Sequence, residues 1–387
     1  MPRAKDAPLP GAPEPWAGSE MPAFRARPPY AMSQMIAAEP ALAERLITRL
    51  ARDEALGSLA SAISDAASSG RAIITTGCGT SEHAAMGIAE LLNEALAPDA
   101  GNEVRALEAL ASQRRRISGG LLIAVSHEGG TSATNEAIRS ARAAGARTAL
   151  ITAGRGSPGA QLAEIVVATE EQDQSWCHTV GYLSPLIVGV VAAARIGRTR
   201  PDALAVRALL DVSDDPHAAA STAAALAGVD RLLVVGSGPD QVSARELALK
   251  VAEGARLPAA AHEVETILHG HLAAANRWSG LVLLLTDPDP AAQPVHARAG
   301  QMLAAAAALN LPSAAIVAES LAGEIGPELT PAGRMVLPHT GRVRGVAGSL
   351  LGSAIALQVL AERMARARGV NPDTLGREDP AQAAAHA

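Results

Sequence analysis

Residues 71–96 read RAIITTGCGTSEHAAMGIAELLNEAL: a short β-branched run, a Gly-x-Gly turn at Gly77 and Gly79, then an amphipathic stretch. This is a buried strand followed by a tight turn and a helix. The same grammar recurs downstream. LLIAVSHEGGTS at 121–132 leads into ATNEAIRSARAAG, and RTALITAG at 147–154 is followed by AEIVVATEEQ. Strands that are apolar throughout and alternate with helices predict a parallel sheet covered on both faces, an α/β fold. Residues 180–196 predict a long apolar helix, and 36–69 a helical lead-in.

The whole pattern then repeats. RLLVVGSGPDQ at 231–241 places Gly236 and Gly238 159 positions after Gly77 and Gly79. LVLLLTD at 281–287 mirrors LLIAVSH, SAAIVAES mirrors RTALITAG, and RMVLPHT mirrors EIVVATE. Four matches in order, at a slowly growing offset, predict a tandem duplication. The expected organisation is a disordered leader at 1–34, a first domain at 35–210, a second at 215–370 and a tail at 371–387. Each domain is expected to be a three-layer αβα unit around a parallel sheet.

Composition narrows the function. The 387 residues carry 33 basic and 39 acidic side chains, net −6, and 2% are aromatic. There is neither a basic field for a nucleic-acid backbone nor a stacking platform. No run of 18 apolar residues predicts a membrane span. The N-terminus has no signal-peptide h-region, and two cysteines make no disulfide framework, so a cytoplasmic protein is expected.

A glycine-rich turn before a helix offers free N–H groups to an anion. The dinucleotide fingerprint fails, because its third glycine position holds Glu82 in one half and Gln241 in the other. No Walker-type phosphate loop is present. What remains is a small hydroxyl-lined cradle: Gly79, Thr80 and Ser81 after the first strand, Ser126, His127, Glu128 and Thr131 after the second. Each hydroxyl could equally cap a helix.

In the second half, Lys250 is the one lysine in the body of the chain, since only Lys5 and Lys250 are lysines. Glu253 lies three residues on, so the two share a helix face. A desolvated lysine can lose its proton, and a carboxylate and a histidine can move protons between sugar carbons and oxygens. A solvated surface pair satisfies the same spacing. His262, His269 and His271 with Glu263 and Glu265 fit no zinc spacing such as HExxH, so no metal and no cofactor is expected.

The two α/β halves, GCGTS before a helix, and the S-x-x-G-x-T run resemble the sugar isomerase (SIS) family. Its members include the isomerase half of glucosamine-6-phosphate synthase and related deaminases and deglycases. The stretch 244–271, ARELALKVAEGARLPAAAHEVETILHGH, is similar to that family's second-half segment. The resemblance implies Lys250, Glu253 and His269 as catalytic residues, with Glu253 the general base and His269 assisting ring opening from the neighbouring subunit. It also implies a homodimer with shared active sites. The Ser81, Ser126 and Thr131 hydroxyls would hold the anionic end of the substrate.

Three departures qualify this. Only about 35 residues precede the first half and the first cysteine is Cys78, so no glutamine hydrolysis is expected. The family's C-terminal Schiff-base lysine is replaced by Thr374. Glu128 stands where the family carries a serine, with His127 beside it to offset the charge if protonated. A carboxylate about 4 Å from a phosphate charge costs about 4 kcal/mol at an effective dielectric of 20. Either Glu128 turns away to accept backbone N–H bonds, or the ligand end there is not a bare phosphate. The expected function is a phosphosugar isomerase or an amino-sugar-phosphate deaminase or deglycase; the alternative is a non-catalytic sugar-phosphate-binding regulator.

Overall fold

The computed structural model describes residues 6–18, 25–96, 103–115, 117–338 and 341–385. The chain divides into two compact units. The first comprises 1–22, 38–173 and 180–207; the second comprises 23–37, 174–179 and 208–387. The short segments 23–37 and 174–179 thus group with the second unit, away from their sequence neighbours.

In the first unit the chain runs through α1 (Ala31–Leu50, whose first residues group with the second unit), α2 (Glu54–Ser68), β1 (Ile73–Gly77), α3 (Thr80–Leu96), β2 (Val104–Glu108), α4 (Ala109–Gln113), β3 (Leu121–Val125), α5 (Ser132–Ala143), β4 (Arg147–Thr152), β5 (Ile165–Ala168), α6 (Val180–Ile196) and the start of α7 (Ala203–Val212). The second continues with α8 (Pro216–Leu226), β6 (Arg231–Val235), α9 (Pro239–Ala255), β7 (Ala259–His262), α10 (Val264–Leu268), β8 (Ser279–Leu285), α11 (Gln293–Ala308), β9 (Ser313–Ala318), β10 (Gly333–Leu337), α12 (Gly345–Ala367) and α13 (Pro380–Ala385).

The sheet orders are β2-β1-β3-β4-β5 and β7-β6-β8-β9-β10. Every pairing is parallel. Read in parallel, β1 corresponds to β6, β2 to β7, β3 to β8, β4 to β9 and β5 to β10. The duplication expected from the repeated runs is therefore present as identical topology, in two αβα units. The central strands β3 (LLIAV) and β8 (SGLVLLL) are buried along their whole length, as parallel strands covered on both faces must be. On the first unit's helical layer, α6 is buried almost all round, and Gly189 lets it approach Ile88 and Leu91 of α3. A Cβ at Gly189 would stand 3.0 Å from both side chains.

Two elements escape the apolar-run reading. The edge strands β2 (VRALE) and β7 (AAAH) are half-exposed, so neither carries a continuous apolar signal. The stretch 244–271 is not one helix. Arg256 turns left-handed (φ 49°) at the end of α9, and the chain then runs through β7 and α10 before His269.

The leader departs from expectation as well. Residues 1–5 and 19–24 lie outside the described residues, but 6–18 run along the first unit rather than free of it. Leu9 is buried, its N–H donates to Glu171 Oε2 at 2.7 Å, and the Pro10 carbonyl accepts from Gln172 N at 2.8 Å. Arg45 holds both Glu171 oxygens and the Asp6 carbonyl. Leu9 and Trp16 supply the apolar anchors that a Pro-rich composition conceals. The tail is equally fixed within the second unit: the buried Asp373 carboxylate accepts from Ala31 N and Met32 N. Among the described residues one helix, α12, is long and apolar enough to cross a membrane; 78% of its apolar window is buried inside the protein, as in a core helix.

Candidate functional site

In the first unit the β1–α3 turn is built by two glycines. A Cβ at Gly77 would stand 2.5 Å from the Ser81 backbone, and Gly79 has φ +56°. The second unit repeats both constraints at Gly236, 2.4 Å from Asp240 O, and Gly238, φ +60°. These turns deliver Thr80 and Ser81 into the first turn of α3, Thr80 buried and Ser81 half-buried. The Cys78 thiol meets Thr134 Oγ1 at 3.6 Å, which ties this turn to α5 and brings the two predicted loops together. Burial pushes the Cys78 thiol up, so it is no thiolate nucleophile at neutral pH.

The β3–α5 loop is a closed hydroxyl turn. Ser126 Oγ accepts from Gly129 N at 3.2 Å and donates to Thr131 Oγ1 at 3.3 Å. Gly129 has φ +72°, and a Cβ there would collide with Ser157 Oγ at 2.1 Å. Thr131 is the N-cap residue of α5 yet makes no side-chain cap bond, and with Ser132 it stays exposed. The helix-cap alternative therefore does not account for Thr131.

The structure corrects the expected role of His127. It is buried, and its Nε2 accepts from Asp173 N at 2.8 Å. An Nε2 that accepts this bond carries no proton of its own. The Glu128 backbone carbonyl accepts from Trp16 Nε1 at 2.9 Å. Its carboxylate makes no hydrogen bond or ion pair among the described residues.

The second unit uses the place equivalent to Ser81 differently. Asp240 is buried there, and its carboxylate accepts from Thr286 N at 2.8 Å, from the Thr286 hydroxyl and from Ser349 Oγ at 3.3 Å. Burial raises its pKa, outweighing the Thr286 hydroxyl and the Thr286 and Asp287 backbone N–H donors. An internal carboxylate thus binds the β8–α11 loop in the second unit.

On α9, Lys250 and Glu253 meet as their spacing predicts, Nζ to Oε2 at 2.7 Å. Two further residues complete the cluster: Glu246 Oε1 lies 3.6 Å from Nζ, and Cys177 Sγ donates to Glu253 Oε2 at 3.7 Å. Lys250 and Glu246 are wholly buried, whereas the Glu253 side chain is 26% exposed. Burial pushes the Lys250 ammonium toward neutrality, but Glu253, Glu246 and Cys177 together outweigh it and raise its pKa. The direction of this shift favours the charged ammonium. Glu253 Oε2 is doubly held, and Oε1 has no partner among the described residues. Glu246 was legible as the i−4 neighbour of Lys250; Cys177 carried no sequence signal, being 76 residues away.

His269 is not part of this cluster within the chain. It is exposed, and its Nε2 meets Glu265 Oε1 at 2.6 Å. Arg298 and His269 hold the Glu265 carboxyl down to about 2. His262 and His271 face each other at 4.2 Å between ring centroids, and burial together with that neighbour lowers the His262 pKa. Among the described residues no group of three or more potential ligands could hold a metal ion. Thr374, at the family's lysine position, is buried, donating to Asn371 O at 3.1 Å and accepting from Arg256 Nη2 at 3.0 Å.

Comparison with known proteins places the fold. The SIS domain family model matches residues 67–195. A glutamine–fructose-6-phosphate aminotransferase (isomerizing) of Symbiobacterium thermophilum is 30% identical over 238 residues, 57% of this chain. The chain spans 38% of that relative's length. Among solved structures, the C-terminal domain of glucosamine-fructose-6-phosphate aminotransferase from Francisella tularensis superposes with TM-score 0.73 at 17% identity, covering 90% of this chain and 99% of that one. Tagatose-6-phosphate ketose/aldose isomerase from Escherichia coli gives TM-score 0.70 at 19% identity, covering 92% and 98%. Glucosamine-6-phosphate deaminase from Thermotoga maritima gives 0.64 at 15% identity, covering 89% and 97%. At these identities the structures share the fold.

Proposed function

We propose that this chain, which carries a SIS domain at residues 67–195 and resembles the isomerase half of the aminotransferases, moves protons on a sugar phosphate. The reaction is aldose–ketose isomerisation, or deamination or deglycation of an amino-substituted sugar through the same proton transfer. One observation carries the reading. Glu253 presents a partly exposed carboxylate with Oε2 fixed by Lys250 and Cys177 and with Oε1 unengaged among the described residues.

In this reading Glu253 Oε1 takes the proton from the carbon beside the carbonyl and returns it to the neighbouring carbon. General base catalysis of this kind contributes about 10²–10⁴ in rate. The electrons of the broken C–H bond pass onto the carbonyl oxygen, giving an enediolate; as the neighbouring carbon takes the proton, the other oxygen gives up its hydroxyl proton to become the new carbonyl and the former carbonyl oxygen takes a proton as a hydroxyl. Lys250 is a permanent positive charge that orients the base; its proton stays in place throughout. The Ser126–Thr131 turn, with Thr80 and Ser81, is a hydroxyl-lined place within the first unit suited to an anionic or hydroxyl group of a ligand. His269, unattached to Lys250 and Glu253 of its own chain, opens the sugar ring for a second copy in a homodimer with shared sites. With Thr374 locked in place of a lysine, no Schiff base forms by that route.

The test is a panel of hexose, ketose and amino-sugar 6-phosphates on purified protein, scoring isomer formation and ammonia release separately. Turnover of any member supports the proposal. Tight binding of a sugar phosphate without turnover would identify a regulatory binder instead.

A further inference from the structure

The described part of the leader passes the C-terminal ends of three strands, which is where parallel sheets bind ligands. Gln172, after β5, donates to Pro10 O. Ala12 lies against Gly154, after β4, so closely that a Cβ there would be 2.4 Å from the Ala12 methyl. Trp16 reaches the loop after β3. Its indole N–H donates to Glu128 O at 2.9 Å, and its ring covers Gly130, where a Cβ would stand 2.7 Å from the ring. Gly130 is therefore required for the indole to sit where it does. The ring is only half-buried, and the neighbouring Thr131 and Ser132 remain exposed. A fixed, half-buried indole thus stands beside a hydroxyl turn whose Thr131 and Ser132 are exposed, at a helix N-terminus.

We infer that Trp16 is a ligand-contact residue, the wall against which the carbon skeleton of a sugar packs while its anionic end sits at the Ser126–Thr131 turn. The inference rests on the sugar-phosphate reading above and adds to it a specificity residue from outside both sheets. The chemistry matches: a sugar offers an apolar C–H face to the ring and hydroxyls to the turn. Indole N–H bonding to Glu128 O fixes the ring before a ligand arrives, so little order has to be gained on binding.

The experiment titrates fructose 6-phosphate, fructose and inorganic phosphate into wild type, Trp16→Ala and Trp16→Phe. Trp16→Ala is expected to weaken fructose 6-phosphate about tenfold while phosphate changes less than about twofold. Trp16→Phe keeps the face, loses the N–H and should stay within about threefold of wild type. An equal loss for phosphate and sugar phosphate, with no recovery in Trp16→Phe, would make Trp16 a loop pin and overturn the inference. Wild-type affinity in Trp16→Ala would overturn it alone, leaving the functional reading intact. A wild type that binds none of the three would overturn both. A second readout avoids dependence on the alanine variant: with Trp176→Phe and Trp278→Phe, the remaining emission comes from Trp16. It should shift with fructose 6-phosphate and not with phosphate; no shift with either counts against the contact.

Discussion

Replacing Lys250 with methionine tests whether the α9 cluster is a locked electrostatic unit. The lysine is wholly buried and lies 2.7 Å from Glu253 and 3.6 Å from Glu246. Methionine fills much of the volume and removes the cation beside the buried Glu246. Removing one partner of a buried ion pair costs about 3–5 kcal/mol. Glu253 is partly exposed and contributes less of that cost. The second unit contains about 200 residues. At that size 1 kcal/mol moves Tm by about 2–4 °C, so the expected drop is about 6–20 °C by calorimetry or circular dichroism. Adding Glu246→Gln removes the carboxylate charge as well and should recover at least half of the loss. A Lys250→Met protein within about 2 °C of wild type would refute the reasoning. So would a double variant no more stable than the single one.

The remaining predictions concern the turns, the buried acid and the ligand loop. Gly77→Ala places a Cβ 2.5 Å from the Ser81 backbone and should cost at least about 1–3 kcal/mol in urea unfolding; a neutral result contradicts the tight turn. Asp240 has a raised folded pKa, so the stability linked to it is full below about 3.8 and is lost as pH rises through the folded value. Wild type should therefore lose stability relative to Asp240→Asn between pH 4 and pH 7, and parallel pH curves would contradict this. Glu128→Ser removes an unpaired carboxylate from the loop and should raise affinity for phosphorylated over unphosphorylated sugar; an unchanged preference places Glu128 away from the ligand.

The strands that decided the fold were legible because they are central. LLIAV and SGLVLLL are buried on both faces, so their sequences need no alternation. The edge strands were not, since VRALE and AAAH each leave part of their length half-exposed and read equally well as helix. At the site, a lone lysine with a glutamate three residues on pointed to α9. Glu246 was legible as the i−4 neighbour of Lys250, but its burial and the distant Cys177 needed the packed structure, because burial and long-range proximity leave no local pattern. The sixteen-residue step to His269 crosses the left-handed Arg256, so spacing said nothing of its position. Leu9 and Trp16 were hidden by the proline and charge around them, although two apolar anchors and a few backbone bonds suffice to fix such a segment. His127 had the right residue type, but only its contact with Asp173 N shows that the ring is an acceptor.

The central claim is that Glu253 is a base acting on a sugar carbon. Its most direct test is deuterium incorporation at C2 of sugar phosphates in heavy water, followed by nuclear magnetic resonance, for wild type and Glu253→Gln. The amide preserves the shape and removes the basic oxygen. Wild type should exchange at least one hexose or amino-sugar phosphate, and Glu253→Gln should exchange it about 10²–10⁴ times more slowly while binding it with similar affinity. Exchange at equal rates in both proteins, or exchange by neither despite binding, would contradict the account.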